Sequence, residues 1–363
     1  MISKIVTLGD VCNKGSSNIA QKDLVDRDGI YPIYGAAGYI KNVDFAHQDK
    51  PYLAVVKDGA GIGRVMKLPA NSSIIGTMQY ILPKGNIDID YLYFALQYMN
   101  LSKYFSGSTI PHIYFRDYQK EKLPLPELSE QQGKAYVLLR IEQLIECYRQ
   151  QLTKLDELVK SQFVEMFGDP VSNAKAWQMR PLKETCALMT GNTPSRAVKE
   201  YYGSHIEWIK SDNITNSSLY LTTAAESLSE KGAEVGRVVH PGAILMTCIA
   251  GSLNTIGNVA IVDRDVAFNQ QINAIIPHQY DTLFLCYLLK LLKPKLHEAA
   301  SSALKCILNK GNLEAFTAIV PDMALQKEFS SFVAQSDKSK LAVQQSIDQL
   351  ETLKKSLMQK YFG

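Results

Sequence analysis

The segment Ile347 to Gly363, IDQLETLKKSLMQKYFG, has a counterpart 195 positions upstream in Leu152 to Gly168, LTKLDELVKSQFVEMFG. That spacing is slightly more than half of the 363-residue chain, so one plan is executed twice. The register holds without a gap back to Pro126, which matches Pro321, and to Gln131, which matches Gln326. Further upstream the duplication continues at a spacing of 194. Ile62, Gly63 and Val65 fall on Ile256, Gly257 and Val259, Ile81 and Pro83 on Ile275 and Pro277, and Tyr93 on Tyr287. Residues between these anchors differ almost everywhere, the pattern of two similar frames presenting two different surfaces.

A length of 363 residues, 46% hydrophobic and 21% charged, suits a globular chain of two to three domains rather than a disordered one. The N-terminus lacks the apolar stretch of a signal peptide. The longest apolar run, Leu283 to Leu292, is too short to span a bilayer and contains Lys290, so a cytoplasmic protein without membrane contact is expected. Six scattered cysteines, Cys12, Cys147, Cys186, Cys248, Cys286 and Cys306, include no CxxC pair and are expected to be reduced. A net charge of +3, spread evenly, neither suggests nor excludes a nucleic-acid partner.

Residues 1–121 show short apolar or alternating runs punctuated by Gly, Pro and Asn: Tyr31 to Gly35, Tyr52 to Lys57, Arg64 to Leu68 and Met78 to Leu82, with a helix expected over Ile89 to Tyr104. The second copy repeats that order, with strands at Gly242 to Cys248, Gly257 to Val262 and Gln271 to Ile276 and a helix over Thr282 to Ala300. After each comes a Pro-containing strand and a long helical pattern. The resulting division is 1–121, 122–168, 169–320 and 321–363.

In the first long helix Ser129 and Gln132 have capping-box spacing. Leu138, Ile141, Ile145, Tyr148, Leu152, Leu155 and Val159 then recur at steps of three and four, a coiled-coil seam. The second long helix, Ala324 to Tyr361, repeats it with Val333, Val343, Ile347, Leu350, Leu357 and Tyr361, interrupted by Ser336, Lys340 and Lys354. Two separate amphipathic helices would also satisfy the pattern. Matched lengths and seams favour pairing with each other, and a chain that leaves domain one and must return makes the pair antiparallel. A helix of about 38 residues is about 57 Å long, more than one turn of DNA at about 34–36 Å. The fold class expected is α+β: two similar mixed α/β domains alternating with two long helices paired as an antiparallel coiled coil.

Catalytic motifs are not found. Asp58-Gly59-Ala60-Gly61-Ile62-Gly63 is neither GxGxxG nor GxxxxGK[ST] and leads into strand-like RVMKL, so a tight hairpin is expected there. No HExxH or GxSxG occurs, and the six histidines have no ligand spacing. Asn-Pro-Pro-Tyr and Asp-Pro-Pro-Tyr are absent, as is any Asp or Glu two residues before a Lys, which removes the amino-methyltransferase loop and a common nuclease element. A chain that catalyses nothing by itself is expected.

The combination resembles the specificity subunit of type I restriction–modification systems, over essentially the whole chain. In the second half the carrying motifs are Thr190-Gly191-Asn192-Thr193-Pro194-Ser195-Arg196, Ile206 to Ile214 (IEWIKSDNI), Gly242 to Thr247 (GAILMT) and Phe268-Asn269-Gln270-Gln271-Ile272. In the first half they are Ile30 to Gly35 (IYPIYG), the hairpin at Ile62-Gly63, Ser106 to His112 (SGSTIPH) and the shared Pro126 and Gln131. The resemblance implies a non-catalytic, double-stranded-DNA-reading subunit. Each target recognition domain would read half of a split, asymmetric site, while the helices fix the spacer and bind two methyltransferase subunits. Motor–nuclease subunits would join them. Adenine methylation with S-adenosylmethionine, and ATP- and Mg-dependent translocation and cutting, would belong to those partners, with no cofactor or metal on this chain.

Base reading needs hydrogen-bonding side chains at groove edges, while phosphate contacts set register. In the polar loops where the copies diverge, the candidates are Tyr34, Lys57, Arg64, His112 and Arg116 in the first domain. In the second they are Arg196, Lys210, Asp212, Asn213, Asn254 and Lys305. Each taken alone could instead be a solvated residue or an Asn or Asp shaping its own turn. Trp208 is expected in the core and Asn269 to Gln271 in the domain frame; Ser301 to Lys305 is the loop to mutate first. A different class remains open, a coiled-coil scaffold whose two β-rich domains bind proteins, for which reversing the charge of Lys57, Arg64 or Lys305 would leave DNA assays unmoved. An unrecognised active site is the remaining reading.

Overall fold

A computed structural model describes residues 4–106, 111–215, 218–301 and 307–363. The chain divides into two compact units, Met1–Gln151 with Val343–Gly363, and Leu152–Ala342. Each therefore contains one end of both long helices.

In the first unit, β1 (Lys4–Thr7) pairs antiparallel with β9 (Lys122–Leu125), the strand that delivers the chain to the long helix. The main sheet is four-stranded and antiparallel, in the order β2 (Cys12–Ser16), β8 (Met78–Pro83), β5 (Tyr52–Val56), β6 (Val65–Leu68). Every residue of β5 is buried, because its two faces serve two cores: Leu53 and Val55 pack toward the domain helix Ile89–Met99, Tyr52, Ala54 and Val56 toward the opposite side. A second sheet holds β4 (Gly38–Val43), β3 (Tyr31–Gly35) and β7 (Ser73–Ile74), with β3 and β7 parallel.

The second unit repeats this frame. Here β10 (Met179–Pro181) pairs with β20 (Thr317–Ile319), and the four-stranded sheet runs β11 (Cys186–Thr190), β19 (Ile272–Pro277), β16 (Ile244–Thr247), β17 (Val259–Ile261). Its second sheet is larger: β12 (Tyr202–Gly203), β14 (Ser227–Leu228), β13 (Ile206–Ile209), β18 (Val266–Phe268) and β15 (Val238–Val239), with β13 and β18 parallel as β3 and β7 are. The Gly-rich run is the hairpin between β5 and β6. Gly63, with φ of 81°, approaches Ser102 so closely that a Cβ would lie 2.6 Å from its amide nitrogen, and its counterpart Gly257 has φ of 76°.

Domain helices begin where a carboxylate satisfies free amides. Asp88 accepts from Asp90 and Tyr91, and Asp281 from Leu283 and Phe284. Both helices are shorter than expected. The first stops at Met99 because Asn100 turns left-handed with φ of 48°, and a 3-10 turn, Leu101–Tyr104, follows. The second breaks after Leu291 and resumes as Lys293–Ser301, where Pro294 has no amide to donate backward.

The long helices are Leu128–Phe167 and Met323–Phe362. Ser129 lies inside the first turn and not at its cap, since the Glu127 carbonyl already accepts from Glu130 and Gln131. Gln131, 1% exposed, accepts from the Asp88 amide at 2.9 Å and donates to the carbonyls of Pro126 at 2.8 Å and Asn86 at 3.2 Å. Gln326, also 1% exposed, does the same with Asp281 at 2.9 Å, Pro321 at 2.8 Å and Gln279 at 3.5 Å.

Within each unit the two helices run antiparallel. In the first, Glu142 pairs with Lys354 at 2.6 Å and Arg149 with Glu351 at 2.9 Å; in the second, Asp156 pairs with Lys340 at 2.6 Å and Phe163 packs edge-on against Phe329. Along the first helix Leu138, Ile141, Ile145 and Val159 are buried and Tyr148, Leu152 and Leu155 half-buried. Along the second, Val333, Val343 and Ile347 are buried and Leu350, Leu357 and Tyr361 half-buried. Lys340 and Lys354 thus face the companion helix, while the Ser336 hydroxyl is buried without a hydrogen-bond partner among the described residues.

Both tryptophans, Trp177 and Trp208, belong to the second unit. Replacing Gln326 by Ala strands the Asp281 amide and the Pro321 carbonyl, so Gln326→Ala is expected to destabilise that unit by about 2–4 kcal/mol. Urea unfolding followed by tryptophan fluorescence measures it; an unchanged midpoint contradicts the role given to this side chain.

Candidate nucleic-acid interface

The expected readers of the first unit fall into two adjoining groups. Lys57 follows β5, with its ammonium 3.9 Å from Asp58, and Asp58 in turn meets the His112 imidazole. Backbone ties hold these segments together: Gly59 donates to Pro111 and Ile113 to Lys57, each at 3.0 Å. The His112 ring lies 4.1 Å from that of Tyr114, and the Arg116 guanidinium sits 4.6 Å over the other side chain of the pair, Tyr114. Arg64, on the hairpin, donates to the Ala36 carbonyl at 3.1 Å, beside Tyr34 and the turn between β3 and β4. Tyr34 meets Tyr39 edge-on at 6.1 Å, and burial pushes its hydroxyl pKa upward.

In the second unit Arg196 and Lys210 converge on Glu226. Arg196 reaches that carboxylate at 2.7 Å, and Lys210 binds its other oxygen. Both cations also cover aromatic rings: Arg196 lies 4.5 Å from Tyr202 and 5.2 Å from Trp208, and Lys210 5.2 Å from Trp208. The hydrogen bond from Lys210, with that cation and Arg196 nearby, holds the Glu226 carboxyl below its ordinary pKa against a smaller opposing effect of burial. Trp208 itself is 3% exposed in β13, a core residue as its pattern implied.

The remaining candidates stand apart. Asp212 is exposed in the 3-10 turn Ser211–Asn213. Asn213 is buried and its amide is engaged inside the fold, accepting from the Lys210 amide and donating to Thr222 and Thr223. Those bonds make Asn213 a loop-shaping residue. Asn254 is exposed on another turn, whose carbonyl accepts from Lys293 at 2.7 Å. Lys305, with the rest of the Ser301 to Lys305 loop beyond Ser301, lies outside the described residues. Asn269 caps its own turn, accepting from the Gln271 amide at 3.0 Å, and Gly191 packs on its backbone so closely that a Cβ would lie 2.1 Å from the carbonyl oxygen. That segment belongs to the frame.

The partners that organise these groups, Asp58, Tyr114 and Glu226, were not among the residues picked from sequence. Asp58 precedes a Gly-rich hairpin, a signal the sequence carries, whereas Tyr114 between Ile113 and Phe115 reads as core. Glu226 is 30 residues from Arg196, and only the pairing of β13 with β14 brings it near. Among the described residues no cluster of three or more His, Cys, Asp or Glu could hold a metal, and no helix is long and apolar enough to cross a membrane.

A duplicated α+β frame, in which each unit offers a polar, cation-bearing surface and both ends of the helices pack antiparallel, defines a tandem recognition scaffold. The profile described as type I restriction modification DNA specificity domain matches residues 3–157 and 174–352, and the chain belongs to that family. It is 31% identical over 116 residues to the type I restriction enzyme HindI specificity subunit of Haemophilus influenzae, covering 31% of this chain and 24% of that one. With the MjaIX specificity subunit of Methanocaldococcus jannaschii it shares 32% over 124 residues, 33% of this chain and 27% of the relative. The matched stretch thus spans about a quarter of each of these curated relatives. Among solved structures, the S subunit of a type I restriction-modification system from M. genitalium aligns with a TM-score of 0.64 at 14% identity, covering 99% of this chain and 96% of that chain. A chain from the assembly and conformational transition of the type I R-M system aligns at 0.55 and 16%, covering 99% and 97%. These structural likenesses establish the fold.

Protonating Glu226, or replacing it by Gln, frees Arg196 and Lys210 from their shared anion. Because its folded-state pKa is lowered, the contribution of the cluster is present above the ordinary carboxylate range and lost as pH falls through the lowered value. In a Trp177→Phe background, Glu226→Gln at neutral pH is expected to shift Trp208 emission in the direction seen when the parent is acidified. Identical spectra at neutral pH would count against the cluster.

Proposed function

We propose that this chain is the DNA sequence-specificity subunit of a type I restriction–modification complex. Each unit reads one half of a bipartite, asymmetric double-stranded site, and the paired helices set the spacer and receive two methyltransferase subunits. One observation carries this reading: two frames with the same strand order, helix caps and glutamine ties present different charged and polar side chains at their surfaces.

The chemistry of the exposed groups fits. Arg and Lys can contact phosphates or accepting base edges, His and Tyr can donate and accept, and these types occur in loops positioned by sheets. With a net charge of only +3, phosphate attraction depends on local placement, and binding should weaken with salt in proportion to the few cations engaged. In the first unit the first long helix also exposes Val137 and Leu144, seven residues apart and 39% and 44% exposed, a surface suited to a partner subunit. S-adenosylmethionine, ATP and Mg then belong to the methyltransferase and motor–nuclease subunits, and this chain contributes the address.

The test is co-expression with the methyltransferase encoded beside it, in a host lacking adenine methylation, followed by genome-wide mapping of modified adenines. A single split motif that disappears without this chain is expected, and exchanging residues 1–121 for those of a relative should change one half only. A stable complex with active methyltransferase but no motif, or an exchange that rewrites both halves, refutes the assignment.

A further inference from the structure

The equivalence of the two units isolates one short segment more sharply than sequence alignment does. In the first unit Asp58 and His112 form an isolated antiparallel bridge; in the second, Ile249 and Ile307 form one. Ile113 donates to the Lys57 carbonyl at 3.0 Å, and Leu308 to the Cys248 carbonyl at 2.9 Å. On the other side of the strand, the amides of Lys57 and Asp58 both donate to Thr77, and those of Cys248 and Ile249 both to Gln271. These bonds equate residue 112 with 307, 113 with 308 and 114 with 309.

What is kept and what is exchanged across this equivalence follows burial. Ile113 and Leu308, 1% and 0% exposed, remain aliphatic anchors. Around them His112 stands against Ile307, Tyr114 against Asn309 and Arg116 against Gly311. Tyr114 and Asn309 each occupy the cap position of a short helix, Phe115–Tyr118 and Lys310–Ala315. A frame held constant by backbone bonds thus exposes a different side chain at the same place in each unit.

In the first unit that side chain is an aromatic ring 43% exposed, flanked by the His112 imidazole at 4.1 Å and the Arg116 guanidinium at 4.6 Å. A tyrosine left this exposed gains little from burial in its own fold. Its neighbours fix it in place, since Asp58 anchors His112 to the hairpin, and the ring together with Asp117, 3.7 Å from the guanidinium, orients an Arg116 side chain that is 75% exposed. We infer that Tyr114 is a specificity-determining contact of the first unit: its ring packs against a base edge in the groove and aims Arg116 at an adjacent base acceptor. The inference rests on the DNA-reading function proposed above.

The second unit supplies a substitution compatible with the frame. Asn309 caps its helix by accepting from the Asn312 amide at 2.8 Å, so Tyr114→Asn can do the same for Phe115–Tyr118 while deleting the ring. Tyr114→Phe keeps the ring and removes only the hydroxyl. Each variant, and the parent, is co-expressed as full chain with the methyltransferase and the modified adenines are mapped, with melting temperature of the purified chain measured alongside. Tyr114→Asn is expected to relax one or two positions within a single half-site, reducing discrimination there by about 5- to 150-fold, and to leave the other half and the spacer unchanged. Tyr114→Phe should retain the parental motif. An unaltered motif with Tyr114→Asn, or a uniform loss of modification with no change in base preference, overturns the inference. A parent chain that directs no motif at all would instead refute the underlying function.

Discussion

A buried glutamine at the start of each long helix ties three chain segments that the rest of the fold must bring together. Gln131 and Gln326 accept from the amide of the aspartate that caps the domain helix and donate to the carbonyl of the proline that follows the incoming strand. An amide side chain is required because the site needs an acceptor and a donor at once; Glu could not donate and Leu would orphan both groups. The tie sets where the helix leaves its domain. Within the second unit Phe329, three residues beyond Gln326, then packs on Phe163 and Phe167.

With the frame secured internally, surface residues are relieved of structural duty. Strands β5 and β16 each divide their side chains between two cores, so the apolar content is spent within the layers and the loops at the strand ends are free to differ. The exceptions are informative. Asn213 and Asn269 are polar and lie in loops, yet their amides are engaged by neighbouring backbone. Polarity alone therefore does not leave a side chain free for an outside partner. Arg196 and Lys210 occupy an intermediate state, paired with a Glu226 side chain that is 36% exposed, where water can compete for both cations.

Much of this architecture was legible because repetition and heptads are long-range patterns. The duplication, the hairpin at Asp58 to Gly63, strand Tyr31 to Gly35 and both long helices followed from spacing alone. What spacing could not give was local competition at element ends. Asn100 adopts a left-handed conformation that stops one helix, Pro294 breaks another, and Glu127 displaces Ser129 from the expected cap. The paired strands β1 and β9 are four residues each and draw their order from the partner across the sheet. For the surface, residue type suggested Arg196 and Lys210, but the anion that gathers them is distant in sequence and only strand pairing reveals it. Tyr114 passed unremarked because an aromatic residue between Ile113 and Phe115 reads as core until its exposure is known.

The lysines that interrupt the second helical seam have a physical rationale in the same patterns. Glu142, Arg149 and Asp156 recur at heptad spacing on the first helix, and Lys340, Ile347 and Lys354 on the second. In the observed register both lysines meet carboxylates, and Arg149 finds Glu351. A slip of one heptad in one direction would set Lys354 against Arg149, and in the other Lys340 against Arg149, with the acids left opposite uncharged residues. Partly exposed ion pairs contribute only about 0–1 kcal/mol each, less than leucines in their place would. Their worth lies in the difference between registers, since a slip of one heptad, about 10 Å, brings no like charges together in an all-apolar seam and does so in this one.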